Sequence, residues 1–231
     1  MSRGFPPRTN ADGFATEAKK HLGQNFLHEK GVITKIVQAI DPQPGDEIVE
    51  IGPGQGALTF PLLQRHGALT AIEFDRDLHA PLQAAARAHG TLRLVEGDVL
   101  GVDFSALAAE LAPADGRIRL VGNLPYNLSS PILFHALDHA PAIRDMHFML
   151  QKEVVERMAA GPGSKVYGRL SVMLQAYCAV TPLFTVPPGA FRPAPKVDSA
   201  VVRLVPKPAE RIEVADRTLF AHVVRAVFGQ R

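Results

Sequence analysis

The sequence contains little cysteine and no long hydrophobic run. Cys178 is the only cysteine among 231 residues, which excludes a disulfide framework and a cysteine-based zinc site and fits a reducing cytosol. Residues 1–20 contain no apolar run of the signal-peptide type, and no stretch approaches the ~18 apolar residues that a membrane-spanning helix requires. We therefore expect a cytoplasmic protein that is not embedded in a membrane.

Internal repeats are absent as well. Hydrophobic residues make up 46% of the chain, which is enough for a full core and excludes general disorder. Residues 1–18 mix Gly, Pro, Asn and Thr with little periodicity, and we expect them to form a disordered tail. The remaining length suits one domain with a small appendage.

The net charge of +2 conceals an uneven distribution along the chain. Residues 41–145 contain seven Arg and 14 acidic residues, a net charge of −7, whereas residues 1–40 carry +3 and residues 146–207 carry +5. Basic segments attract phosphate and acidic segments repel it. The two basic segments are candidates for contact with nucleic acid, although ordinary surface charge explains the pattern equally well.

Strand-like and helical segments alternate up to residue 151. The strand-like segments are residues 47–51, 69–74, 92–95, 118–121 and 146–150, and the helical ones are 29–40, 57–65, 76–89, 104–111 and 131–137. This alternation predicts an α/β fold with a mostly parallel sheet and helices on both faces.

After residue 151 the pattern changes. We predict helices over residues 152–160 and 168–178, then strands over 180–186 and 200–205 that form an antiparallel pair at the C-terminal side of the sheet. The proline-rich residues 187–195 between these strands are predicted to be a long loop, and residues 216–228 an amphipathic helix.

A glycine-rich turn marks the first junction of strand and helix. Gly52 and Gly54 lie there, just after Glu50, and glycine lets the backbone approach a ligand closely. Glu73 ends the second strand, 21 residues after Gly52, where a carboxylate can accept hydrogen bonds from both hydroxyls of a ribose. The pattern fits a dinucleotide site, an S-adenosylmethionine site or a plain turn.

Two features favour S-adenosylmethionine over a nicotinamide cofactor. The glycines repeat as G-x-G-x-G with acidic Glu50 before them, and Asp98 follows the third strand. The Asp98 carboxylate can accept from the adenine amino group of such a cofactor. We therefore predict a cofactor site that includes Gly52, Gly54, Glu73 and Asp98.

The fourth strand is followed by Asn123, Leu124, Pro125 and Tyr126. The lone pair of the adenine amino group is delocalised, and two acceptors on its N–H groups, the Asn123 side-chain oxygen and the Leu124 carbonyl, would localise it. Pro125 stiffens the turn, and Tyr126 offers a face on which a base stacks, worth about 1–3 kcal/mol. The motif indicates methylation of an adenine that has been unstacked into the pocket, a reaction that needs positioning and no metal.

Six short runs in the chain are distinctive in combination. They read GQNFL at residues 23–27, EIGPG at 50–54, GNLPY at 122–126, LQKE at 150–153, YGRLS at 167–171 and FRPAPKVDS at 191–199. On these runs the chain, from residue 20 to residue 231, resembles the ribosomal RNA adenine N6,N6-dimethyltransferases. Within that family it is most similar to the bacterial enzymes that act on the small ribosomal subunit.

The resemblance implies a Rossmann-like class I S-adenosylmethionine-dependent methyltransferase. It implies that Asn25 and Leu27 close over the cofactor, that Asn123 also lines the cofactor site, and that Phe191 stacks the target adenine opposite Tyr126. On the residues alone, Phe191 would be a buried anchor of the proline-rich loop. The implied reaction dimethylates N6 of two adjacent adenosines in the 3′-terminal hairpin of 16S rRNA, during late assembly of the small subunit.

The resemblance also implies a domain organisation and an RNA-binding surface. Residues 19–207 would form the catalytic domain and residues 208–231 the start of a truncated C-terminal helical domain, since the family continues into a basic helical domain. We expect a monomer whose partner is 16S rRNA within the small subunit. The candidate phosphate contacts are Lys152, Arg157, Lys165, Arg169, Arg192 and Lys196.

Other functions remain open at this point. The related 23S rRNA adenine dimethyltransferase of the macrolide-resistance type differs in substrate, and the runs at 150–153 and 167–171 argue against it. A DNA adenine methyltransferase shares the amide-proline-aromatic chemistry, whereas a nicotinamide oxidoreductase has no use for residues 123–126. A non-catalytic assembly factor would have lost glycines or acceptors that this chain retains. His135 and His139 have zinc-compatible spacing but no evident third ligand, so we expect no metal site.

Overall fold

The computed structural model describes Phe14, Lys19 and residues 24–229. Most of the tail predicted over residues 1–18 lies outside these residues, but Phe14 is described, and its side chain is buried against Leu78 and Leu82. No helix in the described part of the chain is long and apolar enough to cross a bilayer.

The described residues form nine strands and eight α-helices. The strands are β1 (Phe26–Leu27), β2 (Ile48–Ile51), β3 (Ala68–Glu73), β4 (Thr91–Glu96), β5 (Ile118–Asn123), β6 (Ile143–Gln151), β7 (Cys178–Val186), β8 (Phe191–Arg192) and β9 (Ser199–Pro206). The helices are α1 (Lys30–Ile40), α2 (Thr59–His66), α3 (His79–Ala86), α4 (Phe104–Leu111), α5 (Ser129–Asp138), α6 (Lys152–Ala159), α7 (Arg169–Tyr177) and α8 (Arg217–Phe228). Each element predicted from periodicity is present, with ends that differ by at most three residues.

The main sheet has seven strands in the order β4-β3-β2-β5-β6-β9-β7. Strands β2 to β6 run parallel, and β9 pairs antiparallel with both β6 and β7. This confirms the mostly parallel sheet with an antiparallel pair at its C-terminal side.

Alternate residues of the central strands enter two separate hydrophobic clusters. In β2, Val49 packs with the cluster of α4 and α5, whereas Ile48 packs with the cluster of α1 and α2. Successive side chains of a strand point to opposite faces, so helices cover both faces of the sheet, as predicted.

Two sequence predictions need correction. The helix predicted over residues 76–89 is a 3-10 turn, Arg76–Leu78, followed by the shorter α3. The loop predicted over residues 187–195 contains β8, which pairs antiparallel with β1 in the register Leu27↔Phe191. Paired strands of two residues are too short to leave a period in the sequence.

Gly122 allows the two central strands to approach each other. A Cβ atom on Gly122 would lie 2.4 Å from the backbone oxygen of Ile51 in β2, and backbone cannot yield as a flexible side chain does. Gly122 directly precedes residues 123–126, here called the Asn123 motif. Its packing therefore sets where this motif leaves the sheet.

We expect Gly122→Ala to lower the free energy of unfolding by about 1–3 kcal/mol because the extra methyl group overpacks the centre of the sheet. Urea denaturation measures this change. Gly161→Ala is the matched control, since a Cβ at Gly161 meets nothing within 4 Å. Equal stability of the two variants would contradict the close-approach argument.

Candidate active site

A cavity of about 220 Å³ opens at the carboxyl ends of β2, β3, β4 and β5. Ligands of open α/β sheets bind at this edge, where the strand order reverses; here the reversal lies between β2 and β5. Its wall contains ten of the eleven residues predicted for catalysis or cofactor binding: Asn25, Leu27, Gly52, Gly54, Glu73, Asp98, Asn123, Leu124, Pro125 and Tyr126. The topology thus brings the glycine turn, the acidic residues and the Asn123 motif to one place.

The glycine turn is tied to Glu73. Gly54 has φ +57°, and its N–H donates to Glu73 Oε2 at 3.1 Å. The other oxygen, Oε1, accepts from the backbone N–H of Asp75 at 2.7 Å. Burial raises the pKa of the Glu73 carboxyl, and these two hydrogen bonds oppose the rise. Two backbone donors therefore fix the carboxylate at the cavity wall, and each oxygen keeps a lone pair for a ligand hydroxyl.

Glu50 is fully enclosed below the same turn, and its Oε2 accepts from the Thr59 hydroxyl at 2.6 Å. Burial raises the pKa of the Glu50 carboxyl to about 8, the bond from Thr59 opposes the rise, and the Glu73 charge adds to it. Glu50 therefore keeps its proton near neutral pH in the folded protein without ligand.

This shift predicts a pH dependence of stability. The folded protein holds a proton that the unfolded chain releases above its ordinary pKa of about 4.5, so the contribution of Glu50 is intact below that pH and is lost as pH rises towards 8. We expect this group to lower the free energy of unfolding by about 2–3 kcal/mol between pH 5 and pH 7.

Urea denaturation across this range tests the effect. In the Glu50→Gln variant, the free energy of unfolding should fall less between pH 5 and pH 7 than in the unmodified protein. Glu213→Gln, a change at an exposed glutamate, should show the same pH dependence as the unmodified protein. Parallel curves for the unmodified protein and Glu50→Gln would show that Glu50 titrates normally.

The cavity mouth carries Asp98 and Phe74. Asp98 is exposed, and its Oδ1 accepts from the N–H of Leu100 at 3.0 Å. Phe74 follows Glu73 directly and is 60% exposed, so it presents an aromatic face to a ligand. Sequence reasoning missed Phe74, although its position after the acidic end of β3 was the available signal.

Three hydrogen bonds hold the Asn123 motif in place. The Asn123 side-chain nitrogen donates to the Asn25 carbonyl at 3.1 Å, which leaves the amide oxygen to act as an acceptor. The N–H of Leu124 donates to the Met149 carbonyl at 3.1 Å. The Pro125 carbonyl accepts from the N–H of Leu128 at 3.0 Å. The turn is thus fixed before any ligand binds.

Tyr126 is anchored through its hydroxyl, which lies 2.7 Å from the hydroxyl of buried Ser199. Burial raises the pKa of the Tyr126 phenol, so the ring remains neutral. Ser199 is the last residue of the FRPAPKVDS run, and no local sequence pattern predicts its contact with Tyr126 because the two residues are far apart in the chain.

Phe191 does not line the cavity. Its side chain is 2% exposed and packs in the core with Leu27, Met149 and Val201. The structure therefore agrees with the buried anchor of the proline-rich loop, and the stacking of Phe191 on a target adenine stays a prediction.

The six candidate RNA-binding residues lie outside the cavity wall. Lys152 and Arg157 have acidic neighbours on α6, Glu156 at 3.8 Å and Glu153 at 3.9 Å respectively. The Arg169 guanidinium lies 6.0 Å from the centre of the Phe134 ring. Lys165, Arg192 and Lys196 are exposed. Their contact with RNA stays a prediction.

The two histidines with zinc-compatible spacing bond to neighbouring protein groups. The Nε2 atom of His135 is 2.8 Å from the Val102 carbonyl oxygen, and Nδ1 of His139 is 3.0 Å from the Ser105 hydroxyl. These contacts attach α5 to the segment around the start of α4.

The cavity suits S-adenosylmethionine. Glu73 and Asp98 place acidic groups along a wall that is otherwise mostly apolar, which matches a cationic cofactor that carries a ribose and an adenine.

Comparison with known proteins agrees with this geometry. The profile of the family "Ribosomal RNA adenine dimethylase" matches residues 15–231. A relative from Xanthomonas campestris pv. campestris (strain B100), named "Ribosomal RNA small subunit methyltransferase A", is 70% identical over 219 residues, which cover 94% of this chain and 81% of that protein. A relative of the same name from Xanthomonas axonopodis pv. citri (strain 306) is also 70% identical, with the same coverage.

Two solved structures are similar over most of the chain. A dimethyladenosine transferase from Plasmodium falciparum has a TM-score of 0.76 at 29% identity, and the match covers 89% of this chain and 71% of that one. The 23S rRNA methyltransferase ErmE has a TM-score of 0.73 at 28% identity, covering 89% of this chain and 79% of that one.

Fold and cavity together define a Rossmann-like class I methyltransferase that uses S-adenosylmethionine. Within that class, the chain belongs to the ribosomal RNA adenine dimethylase family. The fold, the enzyme class and the cofactor predicted from the sequence are therefore confirmed.

Proposed function

We propose that this protein dimethylates N6 of two adjacent adenosines in the 3′-terminal hairpin of 16S rRNA and acts in late assembly of the small ribosomal subunit. The observation that carries the proposal is the meeting of the Asn123 motif with Glu73 and Asp98 in one cavity. The 70% identity to relatives named for the small subunit, against 28% to a 23S rRNA methyltransferase, favours the small-subunit substrate.

S-adenosylmethionine would bind along the carboxyl edge of the sheet. Glu73 would accept from its ribose hydroxyls, Asp98 would accept from its adenine amino group, and the backbone of Gly52 and Gly54 would border it. When bound, S-adenosylmethionine supplies a methyl group already activated by a cationic sulfur. Asn25 and Leu27 cover the site from the segment before α1.

The target base enters beside the Asn123 motif. The Asn123 oxygen and the Leu124 carbonyl accept hydrogen bonds from the N6 amino group, which draws the nitrogen towards tetrahedral geometry and makes its lone pair available. Tyr126, held by Ser199, supplies a stacking face. Because the methylated amine is cationic, N6 loses a proton to water without a dedicated base, so the protein contributes chiefly by positioning.

Several properties of the whole enzyme belong to the same proposal. Residues 19–207 form the catalytic domain, and residues 208–231 begin a C-terminal helical domain. The enzyme acts as a monomer in the cytoplasm, with the rRNA of the small subunit as its partner. The basic residues between Lys152 and Lys196 contact RNA phosphates outside the cavity.

The substrate is tested with radiolabelled S-adenosylmethionine. The protein is incubated in parallel with unmethylated small subunits, with free 23S rRNA and with duplex DNA, and the label is mapped by primer extension and nuclease digestion. We expect label on two adjacent adenosines near the 3′ end of 16S rRNA. Label confined to 23S rRNA or DNA, or transfer to none of the three substrates, would contradict the proposal.

A further inference from the structure

Residues 24–27, here called the strap, run along the cavity, and all four line it. The strap is attached at one end by β1, which pairs with β8 over only two residues. In its middle, the Asn25 carbonyl accepts from the Asn123 side chain at 3.1 Å. In the described part of the chain, hydrogen bonds that involve side chains hold the other end.

Asp75 provides those contacts at the other end. Its carboxylate is buried, 7% exposed; Oδ2 accepts from the side-chain nitrogen of Gln24 at 2.9 Å, and Oδ1 accepts from the Lys19 ammonium at 2.6 Å. The Gln24 side-chain oxygen in turn accepts from the backbone N–H of Lys19 at 2.8 Å. The three residues form a closed ring of hydrogen bonds, two of them to a charged carboxylate.

Asp75 also contacts Glu73, which lines the cavity. The backbone N–H of Asp75 donates to Glu73 Oε1 at 2.7 Å, so one residue contacts both the strap and the buried carboxylate. Burial acts to raise the pKa of the Asp75 carboxyl, but the bonds from Lys19, Gln24 and Asp77 outweigh it and leave that pKa lowered. Asp75 therefore remains ionised while it holds the strap.

We infer that Asp75 is a positioning residue that holds the strap over the cofactor site and thereby sets the affinity for S-adenosylmethionine and the rate at which the demethylated product leaves. The inference rests on the proposed placement of the cofactor beside Glu73. Asp75 does not touch the reacting atoms; it acts through Gln24 on one side and through Glu73 on the other.

Neighbouring Asp77 offers a matched control. It also accepts from the Lys19 ammonium, at 2.6 Å, but its side chain is 73% exposed. Within the described residues, the Asp77 side chain joins the ring only through Lys19, and its backbone N–H donates to Asp75 Oδ1 at 3.2 Å. Asp77→Asn changes neither that backbone bond nor the bond between Asp75 and Gln24.

The test uses Asp75→Asn, Gln24→Ala, their double variant and Asp77→Asn in the full chain. Asp75→Asn keeps the Oδ1 acceptor and presents an N–H₂ group to the Gln24 nitrogen, which cannot accept it. Calorimetry gives the Kd of S-adenosylmethionine and of S-adenosylhomocysteine, stopped-flow fluorescence gives the dissociation rate, and steady-state kinetics on saturating small subunits separates KM for the cofactor from kcat.

We expect Asp75→Asn and Gln24→Ala each to raise Kd and KM for the cofactor by about 10-fold and to change kcat by less than about 3-fold. The double variant should bind the cofactor no more weakly than the more affected single variant. Asp77→Asn should stay within about 2-fold of the unmodified protein. Thermal unfolding of each variant separates this effect from a loss of fold.

Three results would overturn the inference while leaving the cofactor site intact. They are unchanged affinity in Asp75→Asn, equal losses of affinity in Asp75→Asn and Asp77→Asn, and full additivity of Asp75→Asn and Gln24→Ala in their double variant. An unmodified protein that binds neither ligand would instead refute the cofactor site itself, and the inference with it.

Discussion

Replacing Asn123 by Ala should lower kcat by at least about 100-fold, the usual effect of removing one preorganised polar contact to the reacting group. The substitution deletes the side-chain oxygen that we assign as an acceptor for the N6 amino group. It also deletes the nitrogen that donates to Asn25 at 3.1 Å, so a smaller rise in the Kd of the cofactor is expected as well.

Asn123→Asp separates these two roles. Asp keeps an acceptor towards the base but has no donor for the Asn25 carbonyl, so it should retain more transfer than Ala while sharing the weaker cofactor binding. Single-turnover methylation of small subunits measures the chemical step, and calorimetry measures the cofactor. Transfer by Asn123→Ala at the unmodified rate would remove Asn123 from the mechanism.

Replacing Arg119 by Met should lower the free energy of unfolding by about 3–5 kcal/mol because it breaks a buried ion pair from one side. Arg119 is 6% exposed and donates to Asp46 at 2.7 Å and to Asp145 at 2.9 Å. Both carboxylates are buried. Each keeps a second arginine, Arg144 for Asp46 and Arg203 for Asp145, but those side chains are 33% and 47% exposed, so the substitution removes the buried cation that the two carboxylates share.

The loss should depend on pH with a definite sign. Burial acts to raise the pKa of Asp145, but the hydrogen bond and charge of Arg119, with further contributions from His147 and Arg203, outweigh it and hold that pKa below its ordinary value. The stability from this group is thus present above the unfolded pKa of about 4 and is lost as pH falls through the lower folded value. Without Arg119 the carboxyls protonate more readily, so the deficit of the variant should shrink as pH falls from 7 towards 4.

Arg117→Met is the control for that experiment. Arg117 is exposed and pairs with Asp115 at 3.1 Å, and exposed pairs contribute at most about 1 kcal/mol. Equal effects of the two substitutions in urea denaturation would contradict a buried network. The network lies where β5 and β6 begin, at the edge opposite the cavity, so cofactor affinity of folded Arg119→Met should be nearly unchanged.

Most helices and strands could be predicted from the sequence because the patterns that indicate them are local. The sequence predicts α4 with the bounds that the structure has, and the structure shows why the helix begins there: Asp103 caps it by accepting from the N–H groups of Ser105 and Ala106. The site was predictable for a topological reason: the carboxyl ends of parallel strands meet at one edge, so residues that follow successive strands converge there.

The missed features depend on contacts between distant parts of the chain. Ser199 behind Tyr126, Asp75 beneath the strap and the close approach of Gly122 to β2 each join segments that no local pattern relates. The charge count likewise does not distinguish buried from exposed groups. Asp46 and Asp145 belong to the segment read as repelling phosphate, yet both are buried partners of Arg119.

The position of β9 between β6 and β7 has a consequence for synthesis on the ribosome. By residue 151 the nascent chain contains every strand that borders the cavity, but β6 then presents an open edge until residues 199–206 emerge and insert beside it. The partner of the strap, β8, arrives only shortly before. An unpaired apolar edge promotes aggregation, so a chain stalled after residue 151 and before β9 emerges should need a chaperone. Ligand binding should begin only once β9 has paired.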